Sequence, residues 1–347
     1  MPLSPTAPDL RGAGERPVLI LANLGTPAAP TARAVRPFLR EFLSDRRIVE
    51  THPLLWRPVL EGIILRVRPR ASAAKYATIW RPGEETSRSG SPLMHYSERQ
   101  GELLQQELGE SVQVRIAMRY EQPALRRVMG ELMEAGCRRI ALIPLYPQYA
   151  ASSAGTVVDE AARFILASRN QPELRTIRSF ESAPAYIEAL ATALEQHWQI
   201  HGRPNPTAGE RLLLSFHSIP QAMHEAGDPY RAECERTVEL LSRRLDLPEG
   251  LAQLTFQSVF GPAAWIGPAT IDTVGELGRA GCPRLDVICP GFVSDCLETL
   301  EEINQLNRET FTTAGGGSFH YIPWGNDSDG AIATLAQQAR KVLAGWI

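Results

Sequence analysis

The sequence predicts an α/β protein made of two similar halves, each a parallel sheet flanked by helices. Short apolar runs of strand length alternate with long helical patterns, which is typical of parallel strands joined by right-handed crossovers. The chain also repeats itself, because residues 135–144 (AGCRRIALIP) resemble residues 280–290 (AGCPRLDVICP). With 347 residues, it is long enough for two domains or one large α/β unit.

The elements follow from these patterns. The apolar runs predict strands over residues 18–24, 112–118, 139–145, 211–216, 254–260 and 285–289. Helices are predicted over 184–197 and 230–245, and Pro184 suits a first helical turn because its missing N–H needs no partner there. Residues 1–15 are rich in Pro, Gly and Ala without periodicity, so we expect a disordered lead-in.

Further landmarks support the repeat, although chance similarity of generic strands is the alternative. Residues 18–27 correspond to 212–220, since both are apolar strands that end at a proline, and residues 117–120 correspond to 257–260. If the halves are real, the strand ends at four positions point at the cleft between them: Leu24, Tyr146, His217 and Cys289. Large ligands commonly bind in such clefts.

Composition narrows the function. The formal net charge of -3 gives no basic field for nucleic acid, although residues 66–70 (RVRPR) form either a solvated basic loop or an anchor for anionic substrate groups. The five cysteines are odd in number, contain no CxxC pair and follow no secretory signal, so we expect a reducing cytoplasm and no disulfide framework. No apolar run approaches the roughly 18 residues of a membrane span, which leaves peripheral association open. No amphipathic docking helix stands out.

Two segments carry polar chemistry at strand ends. Residues 212–220 (LLLSFHSIP) end in His217, whose imidazole can accept a proton or hold a divalent metal near neutral pH, although a hydrogen-bonded structural histidine is the alternative. After Pro290, the spacing of Asp295, Glu298 and Glu302 predicts one acidic helical face. That face is either solvated or a track for protons and cations. Because ligands bind at the carboxyl ends of parallel strands, the two segments are candidates for opposite walls of one site.

Other positions suit a flat apolar ligand, although each one alone fits core packing. Tyr146 follows a strand, Trp265 lies in a Gly- and Pro-rich segment, and Tyr76 and Ser91 follow the basic run. Cys289 and Cys296 have no metal-site spacing, so we interpret them as packing residues. The sequence contains no GxGxxG after the first strand, no GxxxxGK[ST], no HExxH and no GxSxG, which argues against nucleotide-binding, zinc-protease and serine-hydrolase chemistry.

Taken together, the segments resemble the ferrochelatases, which insert ferrous iron into a porphyrin to make haem. The matches cover nearly the whole chain and comprise residues 23–27 (NLGTP), 42–47 (FLSDRR), 90–93 (GSPL), 117–120 (AMRY), 146–149 (YPQY), 216–220 (FHSIP) and 289–303. The sequences of these motifs are closest to those of the proteobacterial branch, whose usual substrate is protoporphyrin IX. The resemblance implies two Rossmann-like domains, chelatase-like, over residues 16–178 plus 315–347 and over 179–314, with the porphyrin between them.

The resemblance also implies roles for individual residues. His217 and Glu298 face each other across the macrocycle, where they handle the pyrrole protons and the metal, and Asp295 and Glu302 continue an acidic proton or metal path. The porphyrin-binding positions that it implies are Leu24, Arg68, Tyr76, Ser91, Arg119, Tyr146, Ser258 and Trp265. Ferrous iron and protoporphyrin IX are the substrates, and no cofactor is expected. Because no cysteine follows Cys296, the carboxyl-terminal iron–sulfur ligands of animal-type members are missing.

The sequence departs from the family at two places. Val259 stands where a Lys or Arg is usual, and residues 84–88 look like a small insertion at the pocket lip. Three functions therefore remain: a protoporphyrin ferrochelatase, a coproporphyrin or cobalt chelatase, and a porphyrin or haem carrier without catalysis. We expect a cytoplasmic protein. Contact with the inner membrane or with protoporphyrinogen oxidase stays open because porphyrins are poorly soluble.

Overall fold

The computed structural model describes residues 16–259, 261 and 263–347, and it contains two four-stranded parallel sheets. The first sheet has the order β2-β1-β3-β4 and the second has the order β6-β5-β7-β8. The strands are β1 (Val18–Asn23), β2 (Gln113–Met118), β3 (Arg139–Pro144), β4 (Glu173–Thr176), β5 (Arg211–His217), β6 (Ala252–Gln257), β7 (Arg284–Ile288) and β8 (Ser318–Ile322). The identical order confirms the two similar halves.

The six predicted strands all exist, with small shifts at their ends. The largest concerns the strand predicted over 254–260, which begins at Ala252 and ends at Gln257. It ends there because Ser258 has a φ of 65°, in the left-handed region that ladder pairing excludes; residue 260 lies outside the described residues. β4 and β8 were not predicted, because both are short strands with exposed and half-buried positions that give no continuous apolar run.

Helices cover the sheets and the segments between strands. They are α1 (Ala32–Ser44), α2 (Pro53–Val59), α3 (Leu65–Ile79), α4 (Pro92–Leu108), α5 (Leu125–Glu134), α6 (Thr156–Ala167), α7 (Pro184–His201), α8 (Gln221–Glu225), α9 (Tyr230–Arg244), α10 (Thr270–Arg279), α11 (Arg308–Thr313) and α12 (Asp329–Val342). Both predicted helices are present. The basic run 66–70 belongs to α3, so the prediction of a loop there is wrong. None of the described helices has the length and apolarity that crossing a bilayer requires.

One predicted domain boundary needs correction. Residues 315–347 were assigned to the first domain, but β8 pairs in parallel with β7 and therefore belongs to the second sheet. The chain returns to the first half only afterwards, where α12 packs against α4 as well as against α7 of the second half. The rest of the division stays a prediction, and the lead-in over residues 1–15 lies outside the described residues.

The largest apolar core joins the two sheets. Leu19 and Leu21 of β1 belong to the same buried cluster as Leu212 and Leu214 of β5, together with the inner faces of α7 and α12. Such a shared core holds the carboxyl ends of β1 and β5 in a fixed relation, and His217 lies at the end of β5.

Candidate functional site

His217 is the last residue of β5, as the sequence predicts. Its ring is half-buried, and Nδ1 lies 2.5 Å from the carbonyl oxygen of Ser218. A carbonyl oxygen can only accept, so Nδ1 carries the proton and donates it. Nε2 then keeps its lone pair and is the ring atom able to take a proton or to bind a metal.

Glu298 is tied to the neighbouring strand. His217 and Gln257 are register partners on β5 and β6, and the Gln257 amide donates to the Glu298 carbonyl oxygen over 2.7 Å. The same amide side chain accepts from Ser215 over 2.8 Å, which fixes its orientation. The backbone of Glu298 is therefore one hydrogen bond away from the strand that pairs with His217.

The helical prediction after Pro290 is partly wrong. Asp295 precedes the helix, and residues Glu298–Asn307 form a π-helical segment that continues into α11. The predicted α-helical face through Asp295, Glu298 and Glu302 therefore does not form. π-Helical turns occur often at functional sites because they re-aim side chains.

Glu302 lies close to both catalytic candidates. Its carboxylate accepts from the Ser258 backbone N–H over 2.6 Å and from the Ser258 hydroxyl over 2.5 Å. The pKa of Glu302 is raised, mainly by burial and also by the nearby Glu298 charge. The hydrogen bonds from Ser258 and the His217 ring lower it, but by less. The left-handed backbone of Ser258 directs both of its donors to this carboxylate.

The raised pKa of Glu302 predicts that Glu302→Gln stabilises the protein, and that it does so more strongly at higher pH. A carboxyl whose folded pKa exceeds its unfolded value takes up a proton on folding, so its charged form destabilises the native state progressively as pH rises through the folded pKa. The amide has no such charge, and we expect its melting-temperature advantage over wild type to be larger at pH 8 than at pH 5. Glu309→Gln, at an exposed position of α11, is the control, and a difference between wild type and Glu302→Gln that is independent of pH would contradict the assignment.

Asp295 is held by a buried network. Its Oδ1 accepts from the hydroxyls of Thr299 at 2.7 Å and Tyr321 at 2.5 Å, and its Oδ2 accepts from the Asn326 amide at 2.7 Å. Asn326 also accepts from the Asp295 N–H over 2.7 Å. These bonds fix the carboxylate at the entry of the π-helical segment. Its predicted part in a proton path stays a prediction.

A narrow cavity of about 10 Å³ brings four of the predicted residues together. Leu24, Tyr76, Ser91 and Glu298 line it, with Cys296 beside Glu298. Burial, with Glu298 nearby, raises the pKa of the Cys296 thiol, so a neutral thiol lies next to this carboxylate. The volume is below the range of about 300–1,000 Å³ that is usual for small-molecule sites, so a large flat ligand requires the walls to separate.

Two further predicted aromatic residues, Tyr146 and Trp265, lie outside the cavity lining. The Tyr146 hydroxyl is buried and has no hydrogen-bond partner among the described residues. Burial raises the pKa of Tyr146, and Cys296 and Glu298 lie near enough to contribute. Trp265 pairs with Pro220 across a β-bridge, which places it beside the turn that follows His217.

The two predicted arginines lie in different settings. Arg68 is exposed on α3. Arg119 is buried: Nη2 pairs with Asp45, and Nε donates to the Thr156 carbonyl oxygen over 3.0 Å and hydroxyl over 2.7 Å. Its direct contact with porphyrin therefore stays a prediction, and the geometry favours a structural role.

Two polar partners were missed from sequence. Gln257 was only part of a motif, although it links Glu298 to the sheet, and Asn326 was not singled out, although it holds Asp295. Gln257 immediately precedes Ser258, and this adjacency was the available signal. Cys289 and Cys296 are buried, in separate apolar clusters, as expected of packing residues.

The arrangement joins an imidazole with a free lone pair to two carboxylates at the edge of a sheet. One of these carboxylates, Glu302, has a pKa raised mainly by burial, which favours its protonated form, and it can take part in proton transfer. Imidazole and carboxylate together also bind divalent transition metals. The site can therefore remove protons from a ligand in the cleft and deliver a metal ion to it.

Comparison with known proteins identifies the family to which the chain belongs. The ferrochelatase family model matches residues 17–343. The chain is 48% identical over 347 residues to the ferrochelatase of Aromatoleum aromaticum, covering 99% of this chain and 92% of the relative. The chain belongs to the ferrochelatase family. This family comprises lyases that insert iron into porphyrin in haem biosynthesis, and the chelatase reaction expected from the sequence is thereby confirmed.

A second relative supports the same family assignment. The ferrochelatase of Dechloromonas aromatica is 47% identical over 345 residues, covering 99% of this chain and 92% of the relative. Among solved structures, SirB from Bacillus subtilis with Fe3+ superposes with a TM-score of 0.52 at 15% identity, covering 73% of this chain and 92% of that one. At that identity the likeness concerns the fold alone, and it confirms the chelatase-like pair of Rossmann-like sheets.

Proposed function

We propose that the protein inserts ferrous iron into protoporphyrin IX, with His217 as the acceptor of pyrrole protons. The observation that carries this proposal is the free Nε2 of His217 at a sheet edge that Gln257 and Ser258 tie to Glu298 and Glu302. Glu298 lines the cavity and receives the metal or the second proton. Glu302, with its raised pKa, passes protons onward, and Asp295 continues the path.

The porphyrin lies against the apolar walls of the cavity. Leu24 and Tyr76 line it directly, and the rest of the ring packs on Tyr146 and on Trp265 beside the turn after His217. The buried Tyr146 hydroxyl gains a partner if a polar atom of the ligand reaches it. Ser91 offers a hydroxyl at the cavity, the Ser258 hydroxyl can still accept a hydrogen bond, and the exposed Arg68 of α3 provides a cation for a propionate. Ferrous iron is a substrate, and we propose that the reaction needs no cofactor.

Direct competition tests the substrate. Ferrous iron is supplied anaerobically to an equimolar mixture of protoporphyrin IX and coproporphyrin III, and the two haems are separated and quantified. We expect at least a tenfold preference for protohaem. A preference for coprohaem would overturn the substrate, as faster cobalt insertion would overturn the metal, and binding of both rings without insertion would indicate a carrier.

We further propose a cytoplasmic protein that docks on the inner membrane, where porphyrin is handed over from protoporphyrinogen oxidase. The support is an apolar surface on α2, α3 and the π-helical turn between them, on which Leu55 and Ile63 are 70% and 59% exposed. This surface consists of Leu54, Leu55, Val59, Ile63 and Val67. Exposed arginines adjoin it at positions 57, 66, 68 and 70, which suits anionic lipid headgroups. Because Tyr76 of α3 lines the cavity, docking would place the cleft near the bilayer.

Vesicle binding checks the docking surface. We expect wild type to co-sediment with vesicles that contain anionic lipid and Leu55→Ser/Ile63→Ser to lose at least about tenfold in binding, since each exposed apolar chain contributes through buried area. Leu166→Ser, exposed on α6, is the matched control. Equal sedimentation of all three proteins would contradict docking by this surface.

A further inference from the structure

Three residues with metal-binding side chains meet on the second sheet, apart from the cavity lining. Asp286 of β7 and His320 of β8 are register partners on neighbouring strands, and His197 reaches them from α7. One possible ligand atom from each residue lies within 4.8 Å of the others. The three residues are far apart in sequence, so no motif announces the cluster.

The Asp286 carboxylate is buried and firmly oriented. Oδ1 accepts from Arg284 Nε at 2.9 Å and lies 2.9 Å from Nδ1 of His320. Oδ2 accepts from Trp198 Nε1 at 2.9 Å and from Arg284 Nη2 at 2.8 Å. Such outer partners commonly hold metal-site carboxylates and histidines in one orientation.

His197 contributes a buried ring nitrogen that has no hydrogen bond within the described part of the chain. Its Nε2 is buried, lies 3.8 Å from Asp286 Oδ1, and has no hydrogen-bond partner among the described residues. A buried polar nitrogen without a partner is energetically unfavourable.

The spacing of the ligand atoms suits a small cation. Ligands about 2.0–2.1 Å from a tetrahedral zinc ion are about 3.3 Å from one another. The two observed separations from Asp286 Oδ1, 2.9 Å to His320 and 3.8 Å to His197, lie on either side of that value. His320 keeps 24% of its side-chain surface exposed, which gives an ion a route from solvent.

We propose that His197, His320 and Asp286 bind a divalent transition-metal ion at a site separate from the catalytic cleft. Two imidazoles and one carboxylate select zinc, cobalt or nickel over magnesium and calcium, which prefer oxygen ligands. His201, whose ring lies 4.4 Å from that of His197, is near enough to contribute a further imidazole after a rotamer change. The Arg284 charge beside Asp286 limits the affinity.

Metal counting tests the proposal. Protein stripped with a chelator is dialysed against micromolar zinc, and the bound zinc is measured for wild type and for His197→Leu/His320→Asn. We expect the double variant to bind one equivalent fewer and to keep its iron-insertion rate within about twofold. His217→Ala should keep that equivalent, so failure of the catalytic assignment would be distinguishable. His52→Ala, an exposed histidine on α2's N-cap, is the control for adventitious imidazole binding.

Spectroscopy and stability give a second readout. Cobalt bound by two imidazoles and a carboxylate gives visible absorption bands, which the double variant should lack, and zinc should raise the melting temperature of wild type but not of the variant. The substitutions suit folding, because leucine removes an unpaired nitrogen and asparagine can still donate to Asp286. Equal zinc counts and equal thermal shifts in wild type and variant would overturn the proposal.

Discussion

His217→Ala is expected to reduce the rate of iron insertion by about 10²- to 10⁴-fold, the range that a positioned general base contributes. The imidazole Nε2 is the acceptor that Nδ1 leaves free by donating to Ser218. Without it, β5 ends without an imidazole to accept the pyrrole protons. The measurement is anaerobic insertion of ferrous iron into protoporphyrin, followed by the absorbance of haem.

The same substitution should leave the fold and porphyrin binding nearly unchanged. His217 is half-buried, and among the described residues its ring has one hydrogen bond, to the adjacent Ser218, so a stability loss of about 1 kcal/mol is the expected order. Fluorescence titration should therefore give a porphyrin affinity within a few-fold of wild type. His224→Ala, a half-buried histidine on neighbouring α8, is the matched control. Turnover by His217→Ala within tenfold of wild type would remove His217 from the mechanism.

The parts of the molecule that were predictable are those with a strong local signal. β1, β3 and β5 are continuous apolar runs, so both their existence and the exposure of His217 at a strand end follow from sequence. β4 and β8 are short with mixed burial, and only pairing with an already formed strand makes them strands. This explains why the domain boundary at residue 315 was wrong.

The site was predictable as a set of residues, but its geometry was not. The spacing of Asp295, Glu298 and Glu302 predicts an α-helical face, whereas the π-helical segment starts only after Asp295. Helix type depends on how the segment packs between Gln257 and Asn326, and these contacts join residues distant in sequence. The His197 cluster shows the same limit, because its three members come from separate elements.

Arg119→Leu is expected to lower the free energy of unfolding by about 3–5 kcal/mol, the usual effect of removing one partner of a buried ion pair. Asp45 would keep the hydroxyls of Thr156 and Tyr120 but lose its cation. Burial would raise the pKa of Asp45, yet the hydrogen bonds from Thr156 and the Arg47 N–H, with the Arg119 charge, hold it below its usual value. Chemical denaturation of wild type and variant measures the loss.

A double-mutant cycle separates this structural role from contact with the substrate. Asp45→Asn/Arg119→Leu leaves no buried charge unpaired, so it should be more stable than Arg119→Leu alone, and it remains testable if the single variant does not fold. The backbone N–H groups of Arg119 and Tyr120 donate to the carbonyl oxygens of Asn23 and Leu24, and Leu24 lines the cavity. These backbone hydrogen bonds do not depend on the Arg119 side chain. The KM for porphyrin of the folded double variant should therefore stay within a few-fold of wild type. A tenfold rise in KM with unchanged stability would instead place Arg119 on the porphyrin, because a direct contact is lost in the bound state and not in the fold.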